Sequence, residues 1–118
     1  MGLSTHVLDT MHGCPAAGMR IGFQKLQAGV PEGNAHEIVL NADGRNPNGP
    51  LVQGANWSRG RYRLTFHVGE YFAQKGVQLP DPSFLDVVHL DFGVADPSAH
   101  YHVPLLVSPW SYSTYRGS

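Results

Sequence analysis

The sequence predicts an all-β fold, a two-sheet sandwich of about eight short strands with one short helix. Three observations predict it. Apolar and polar residues alternate with the period at which side chains switch faces along a strand. Clusters of Gly, Pro, Asn and Asp break that alternation at short intervals, as turns between strands do. One stretch alone, Glu70 to Lys75, suits a helix, and Gly76 closes it. At 118 residues the chain has the size of a single domain, residues 1–118, that buries a core without staples.

Leu3 to Thr10 reads as the first strand, with Ser4, His6 and Leu8 on one side and Thr5, Val7 and Asp9 on the other. His12-Gly13-Cys14-Pro15, with Gly18, marks a turn. Met19 to Leu26 is the second strand, Met19, Ile21 and Phe23 sharing a face. Val30-Pro31-Glu32-Gly33-Asn34 reads as another turn, and a third strand runs from about His36 to Leu40. Asn41-Ala42-Asp43-Gly44-Arg45 is a tight turn that ends on an arginine, prolonged by Asn46 to Pro50. Leu51-Val52-Gln53 is a short edge strand.

Gly60 to Val68 alternates most clearly. Tyr62, Leu64, Phe66 and Val68 point one way, and Arg61, Arg63, Thr65 and His67 the other, so one face is buried and one wet. After the helix, Pro80 and Pro82 lead into a strand from Asp86 to Val94, with His89 and Asp91 outward. Ala95-Asp96-Pro97-Ser98 is a turn, and strands at Tyr101 to Val107 and Ser111 to Arg116 finish the chain.

Composition excludes several function classes. Lys and Arg total 8 against 9 Asp and Glu, with no basic stripe, which argues against a nucleic-acid partner. No apolar run is long enough for a membrane span, and no secretory leader pattern opens the chain, so a cytoplasmic location is expected. Cys14 is the one cysteine, which leaves no internal disulfide. Charged residues are 14% of the chain, and so sparse a charge fits an oligomer that hides part of its surface. Seven histidines are the main reservoir of chemistry near neutral pH.

The histidines point to chemistry at the end of the chain. His100 and His102 share a strand face, with Pro104 and Leu106 continuing it. Such alternation occurs in zinc half-sites but more often at strand entrances, where the rings are solvated or bonded to backbone, and no cysteine pair or acidic partner at ligand spacing completes a metal site. His6 lies mid-strand on the side of Leu8. If His6 and His102 meet beside an arginine, they make a hydrolytic centre without metal. One neutral imidazole takes a proton from water and the other donates or holds one. The guanidinium fork binds and stabilises the oxyanion. No Gly-x-Ser-x-Gly elbow and no Gly-rich phosphate cradle is present. Tyr112 and Tyr115 carry large rings that favour packing, which argues for a docked chain end at Ser118.

Four segments carry a resemblance. They are Ser4-Thr5-His6-Val7-Leu8-Asp9, Ala42-Asp43-Gly44-Arg45, His100-Tyr101-His102-Val103-Pro104-Leu105-Leu106 and Tyr115-Arg116-Gly117-Ser118. In these the chain resembles the transthyretin-like family, in its 5-hydroxyisourate hydrolase branch, from about Leu3 to Ser118. The resemblance implies a transthyretin-type sandwich with the helix after the strand at Gly60 to Val68. It implies a homotetramer, a dimer of dimers, with sites in the channel where the dimers meet. The implied reaction is ring-opening hydrolysis of 5-hydroxyisourate, the product of urate oxidation, to the ureidoimidazoline acid OHCU, without a cofactor. The family's catalytic set falls on His6, Arg45, His102 and Ser118, with Tyr115 joining them around the substrate; which histidine is the base stays open. Asn46 stands where the family usually has threonine. A non-catalytic small-ligand carrier is the alternative, but the carriers lack the equivalents of His6, Arg45 and His102 and the terminal tetrapeptide.

Overall fold

The alternating pattern folds into two sheets that bury their apolar faces against each other. The structure, a computed structural model, describes residues 2–117. The strands are β1 (Gly2–Asp9), β2 (Cys14–Pro15), β3 (Arg20–Gln27), β4 (Val30–Val39), β5 (Val52–Gln53), β6 (Gly60–His67), β7 (Val87–Val94), β8 (His100–Val107) and β9 (Tyr112–Thr114). The helix α1 (Val68–Gln74) follows β6 directly. One sheet has the order β2-β1-β8-β9, with β5 also on β1; the other has β4-β3-β6-β7.

Leu3 and Val7 of β1, Leu105 and Val107 of β8, Ile21 of β3 and Leu64 and Phe66 of β6 are fully buried between the sheets. Each such side chain contributes about 1.5–3 kcal/mol by leaving water. Tyr62 stacks on Phe23 and Trp57 and closes the layer at one end. Asp9 ends β1 inside the core. Its carboxylate accepts from the Tyr71 hydroxyl at 2.8 Å and pairs with His12 Nδ1 at 2.6 Å. Burial alone would push that carboxyl up, but the bonds from His12 and Tyr71 outweigh it and hold Asp9 below the ordinary range. The same contacts tie β1 to α1.

Three expectations needed correction. The predicted turn at Val30 to Asn34 is strand, the first half of β4. The chain turns earlier, at Ala28 and Gly29, with φ of 52° and 80°, in a two-residue loop that pairs Gln27 with Val30. Positive φ at both loop positions matches the twist of a hairpin. The Gly33-Asn34 signal belongs instead to a bulge, where the register shifts between Phe23 and Lys25. The helix starts at Val68 rather than Glu70. Gly69 N–H donates to the Asp86 carbonyl at 2.8 Å, and a Cβ on Gly69 would meet the Asp86 side chain at 2.7 Å. The third correction concerns Tyr112 and Tyr115, which are exposed on the protomer rather than packed. No helix among the described residues is long and apolar enough to cross a membrane.

The feature that positions the site is the pairing of β1 with β8. The two run parallel in continuous register, Gly2 beside His100, Ser4 beside His102 and Asp9 beside Val107.

Candidate active site

Ser4 and His6 leave the core side of β1 to Leu3, Thr5 and Val7, and share its outer face. The Asn41 to Arg45 turn is laid across that face. Asn41 Oδ1 accepts from the backbone N–H of Asp43 at 2.9 Å and of Arg45 at 3.1 Å. Val7 N–H then donates to the Gly44 carbonyl at 3.0 Å, and His6 and Arg45 pair as an antiparallel bridge. Gly44 has φ of 71°, and a Cβ there would sit 2.5 Å from the Val7 carbonyl oxygen. Only glycine lets the turn come so close.

The docked turn aims Arg45 at His6. Arg45 NH2 donates to His6 Nδ1 at 3.4 Å. A guanidinium only donates, so Nδ1 is the acceptor and the proton of neutral His6 sits on Nε2.

His102 enters from β8. Ser4 Oγ lies 2.8 Å from His102 Nδ1 and 2.9 Å from His100 Nε2. On the other side of β8 the chain end returns. Gly117 N–H donates to the His102 carbonyl at 2.6 Å and the Gly117 carbonyl accepts from His102 N–H at 3.3 Å. A Cβ on Gly117 would lie 3.2 Å from His102 Cδ2, so glycine leaves the ring its room. Arg116 holds this end down. Its guanidinium lies 4.1 Å over the Tyr101 ring and donates to the His100 carbonyl at 3.4 Å. Tyr115 turns outward, 60% exposed. Ser118, the fourth predicted catalytic residue, lies outside the described residues.

His6, Arg45 and His102 thus share one sheet face, as the chemistry requires. Both imidazoles titrate below the ordinary histidine value. Burial lowers them first and the Arg45 charge second. For His102 the neighbouring His6 and His100 add to the lowering, while for His6 the Asp43 carbonyl and carboxylate pull back weakly. Both rings are therefore neutral near pH 7, the form in which an imidazole with an open ring nitrogen can take a proton.

A shallow cleft of about 250 Å³ opens beside them, lined by Ser4, Thr5, Arg45, Asn46, Pro50 and His100 among others. Asn46 Nδ2 donates to the Gly49 carbonyl at 2.8 Å, so the loop that departs from the family pattern is closed on itself and forms one wall. His100 and His102 do share a face, as their spacing predicts, but both are engaged by one hydroxyl. Among the described residues no group of three His, Cys, Asp or Glu side chains is placed to hold a metal ion. Sequence reasoning assigned no role to Ser4. The available signal was its position two residues before His6 on the same strand face.

A sequence profile of the HIUase/Transthyretin family matches residues 3–117. The chain belongs to this family. It is 52% identical over 120 residues to 5-hydroxyisourate hydrolase 2 of Rhizobium meliloti (strain 1021), an alignment covering 98% of this chain and 95% of the relative. Among solved structures it superposes on an (S)-allantoin synthase with a TM-score of 0.92 at 51% identity; the match covers 99% of this chain but 43% of that longer one. Sea bream transthyretin in complex with thyroxine superposes with a TM-score of 0.78 at 28% identity, covering 99% of this chain and 95% of the other. The transthyretin-type sandwich predicted from the sequence is the fold of this HIUase/Transthyretin chain.

Proposed function

We propose that the protein hydrolyses 5-hydroxyisourate, opening its ring to OHCU in the breakdown of urate. One observation carries the reading. His6, Arg45 and His102, brought from three distant segments, converge on one sheet face with both imidazoles neutral. The 52% identity to a 5-hydroxyisourate hydrolase, against 28% to a transthyretin crystallised with thyroxine, favours the hydrolase over a carrier.

In this reading residues 1–118 form a single hydrolase domain, and the chemistry needs only water and side chains. A neutral imidazole takes a proton from water, which attacks a ring carbonyl. Arg45 holds the ring oxygens and stabilises the oxyanion as it forms. The carbon–nitrogen bond then breaks, and the imidazolium returns its proton to the leaving nitrogen. Tyr115 and Ser118 help to hold the substrate. Phe84, 68% exposed, and Trp110, 58% exposed, stack at 5.9 Å on the protomer surface. Such apolar surface supports assembly into a dimer of dimers, with the cleft facing the channel between dimers.

The test adds the protein to freshly oxidised urate and follows loss of the hydroxyisourate absorbance. Decay faster than the spontaneous rate is expected, and an unchanged rate overturns the reading. Scattering mass in the same solution checks the tetramer.

The pH profile follows from the titration shifts. A histidine lowered from 6.5 keeps its neutral form further into acid, so base activity is lost only as pH falls through the lowered value. The acid limb of kcat/KM is expected below pH 6.5. A limb above that value would contradict the assignment of these imidazoles.

A further inference from the structure

We propose that Ser4, backed by His100, is the positioning residue that makes His102 the general base. The inference rests on the hydrolase reading above and decides between its two histidines. A hydroxyl has one hydrogen, and Ser4 Oγ is within hydrogen-bond distance of two ring nitrogens, His102 Nδ1 at 2.8 Å and His100 Nε2 at 2.9 Å. With both bonds made, the single hydroxyl hydrogen serves at most one ring, so at least one ring donates to the hydroxyl. In one arrangement His102 Nδ1–H donates to Ser4, and Ser4 donates to His100. His102 then presents a bare Nε2 lone pair. In the reverse arrangement Nε2 carries the proton and His102 has no lone pair to offer.

His6 decides which arrangement the reaction uses. Its Nδ1 lone pair is taken by Arg45, so its Nε2 bears a proton. In that state His6 donates or orients and does not accept. The base is therefore His102 at Nε2, and its proton must sit on Nδ1, against Ser4. His100, by accepting the Ser4 hydrogen, turns the hydroxyl's lone pairs toward His102.

The same contact supports the charged form. The titratable and charged groups that act on His102 are Arg45, His6 and His100, none of which welcomes a second positive charge. Gly117 and Ser4 complete its surroundings. When His102 takes the proton of water at Nε2, the Nδ1–H of the imidazolium already has an acceptor in Ser4 Oγ. The proton then leaves from Nε2 to the departing ring nitrogen. Ser4 and His100 end the cycle protonated as they began.

The experiment pairs turnover with the tautomer of His102, read from its ring nitrogen-15 shifts. In the wild type the proton is expected mainly on Nδ1. Ser4→Ala should shift the population toward Nε2–H and lower kcat about 10- to 100-fold, the scale on which a partner that orients a histidine acts, with KM little changed. Ser4→Thr keeps the hydroxyl and should restore both readouts to within a few-fold of wild type. Unchanged tautomer and kcat in Ser4→Ala would overturn the proposal. So would equal losses in Ser4→Ala and Ser4→Thr with the tautomer unmoved, which would make Ser4 a packing residue. A wild-type protein inactive on 5-hydroxyisourate would instead sink the hydrolase reading, and the tautomer measurement would still report the Ser4 contact.

Discussion

His102→Ala is expected to lower kcat toward 5-hydroxyisourate by about two to four orders of magnitude, the contribution of a positioned general base. The fold should survive. The His102 ring lies on the outer face of the sheet, while its neighbours Tyr101 and Val103 carry the core contacts. The backbone bonds of His102 to Gly117 do not depend on its side chain. The loss should therefore appear in turnover with the circular dichroism and assembled mass unchanged. His6→Ala should cost a comparable factor, because it removes both the second imidazole and the partner that orients Arg45. The two variants differ in a way that can be measured. Loss of His102 should erase the acid limb of kcat/KM, whereas loss of His6 should leave a limb in place. Near-full activity in either variant would remove that residue from the chemistry.

Arg45→Lys is the second large effect, expected at about 100- to 1,000-fold in kcat/KM, the scale of a lost oxyanion donor. Charge is conserved in this exchange; the fork is not. One arm of the guanidinium donates to His6 Nδ1, and the rest of the fork remains for planar ring oxygens. An ammonium is a point charge on a flexible stem and cannot hold His6 and a carbonyl pair together in one plane. Because the positive charge remains, the acid limb should stay below pH 6.5. Equal kcat/KM for Arg45→Lys and wild type would show that position 45 supplies only electrostatics.

Much of this site was legible in the sequence, because a strand declares its two faces. Leu3, Thr5 and Val7 point in, so Ser4 and His6 point out, and the same holds for Tyr101 and Val103 against His100 and His102. The Asn41 to Arg45 turn was readable from its residue types, though its docking was not. Nothing local announces that Gly44 must clear the Val7 carbonyl. The hairpin at Ala28-Gly29 was missed because alanine seldom adopts the positive φ it has there, while Pro31 and Gly33 nearby carry the stronger turn signal. The outward rings of Tyr112 and Tyr115 mislead for another reason. Aromatic composition shows that a ring seeks cover, not whether its own protomer provides it. The Ser4 contact escaped because it joins residues 98 apart, a separation no strand period encodes.

That separation also governs when the protein can acquire its activity. β1 precedes β8 in the chain, and its outer face stays unmatched until β8 pairs beside it in register. Contacts so distant in sequence are slow to form, since the loop they close must lose its freedom before they stabilise anything. A chain in which β8 has not yet paired with β1 lacks His102 opposite Ser4. The meeting of Ser4 and His102 thus waits for the late pairing of β8 with β1.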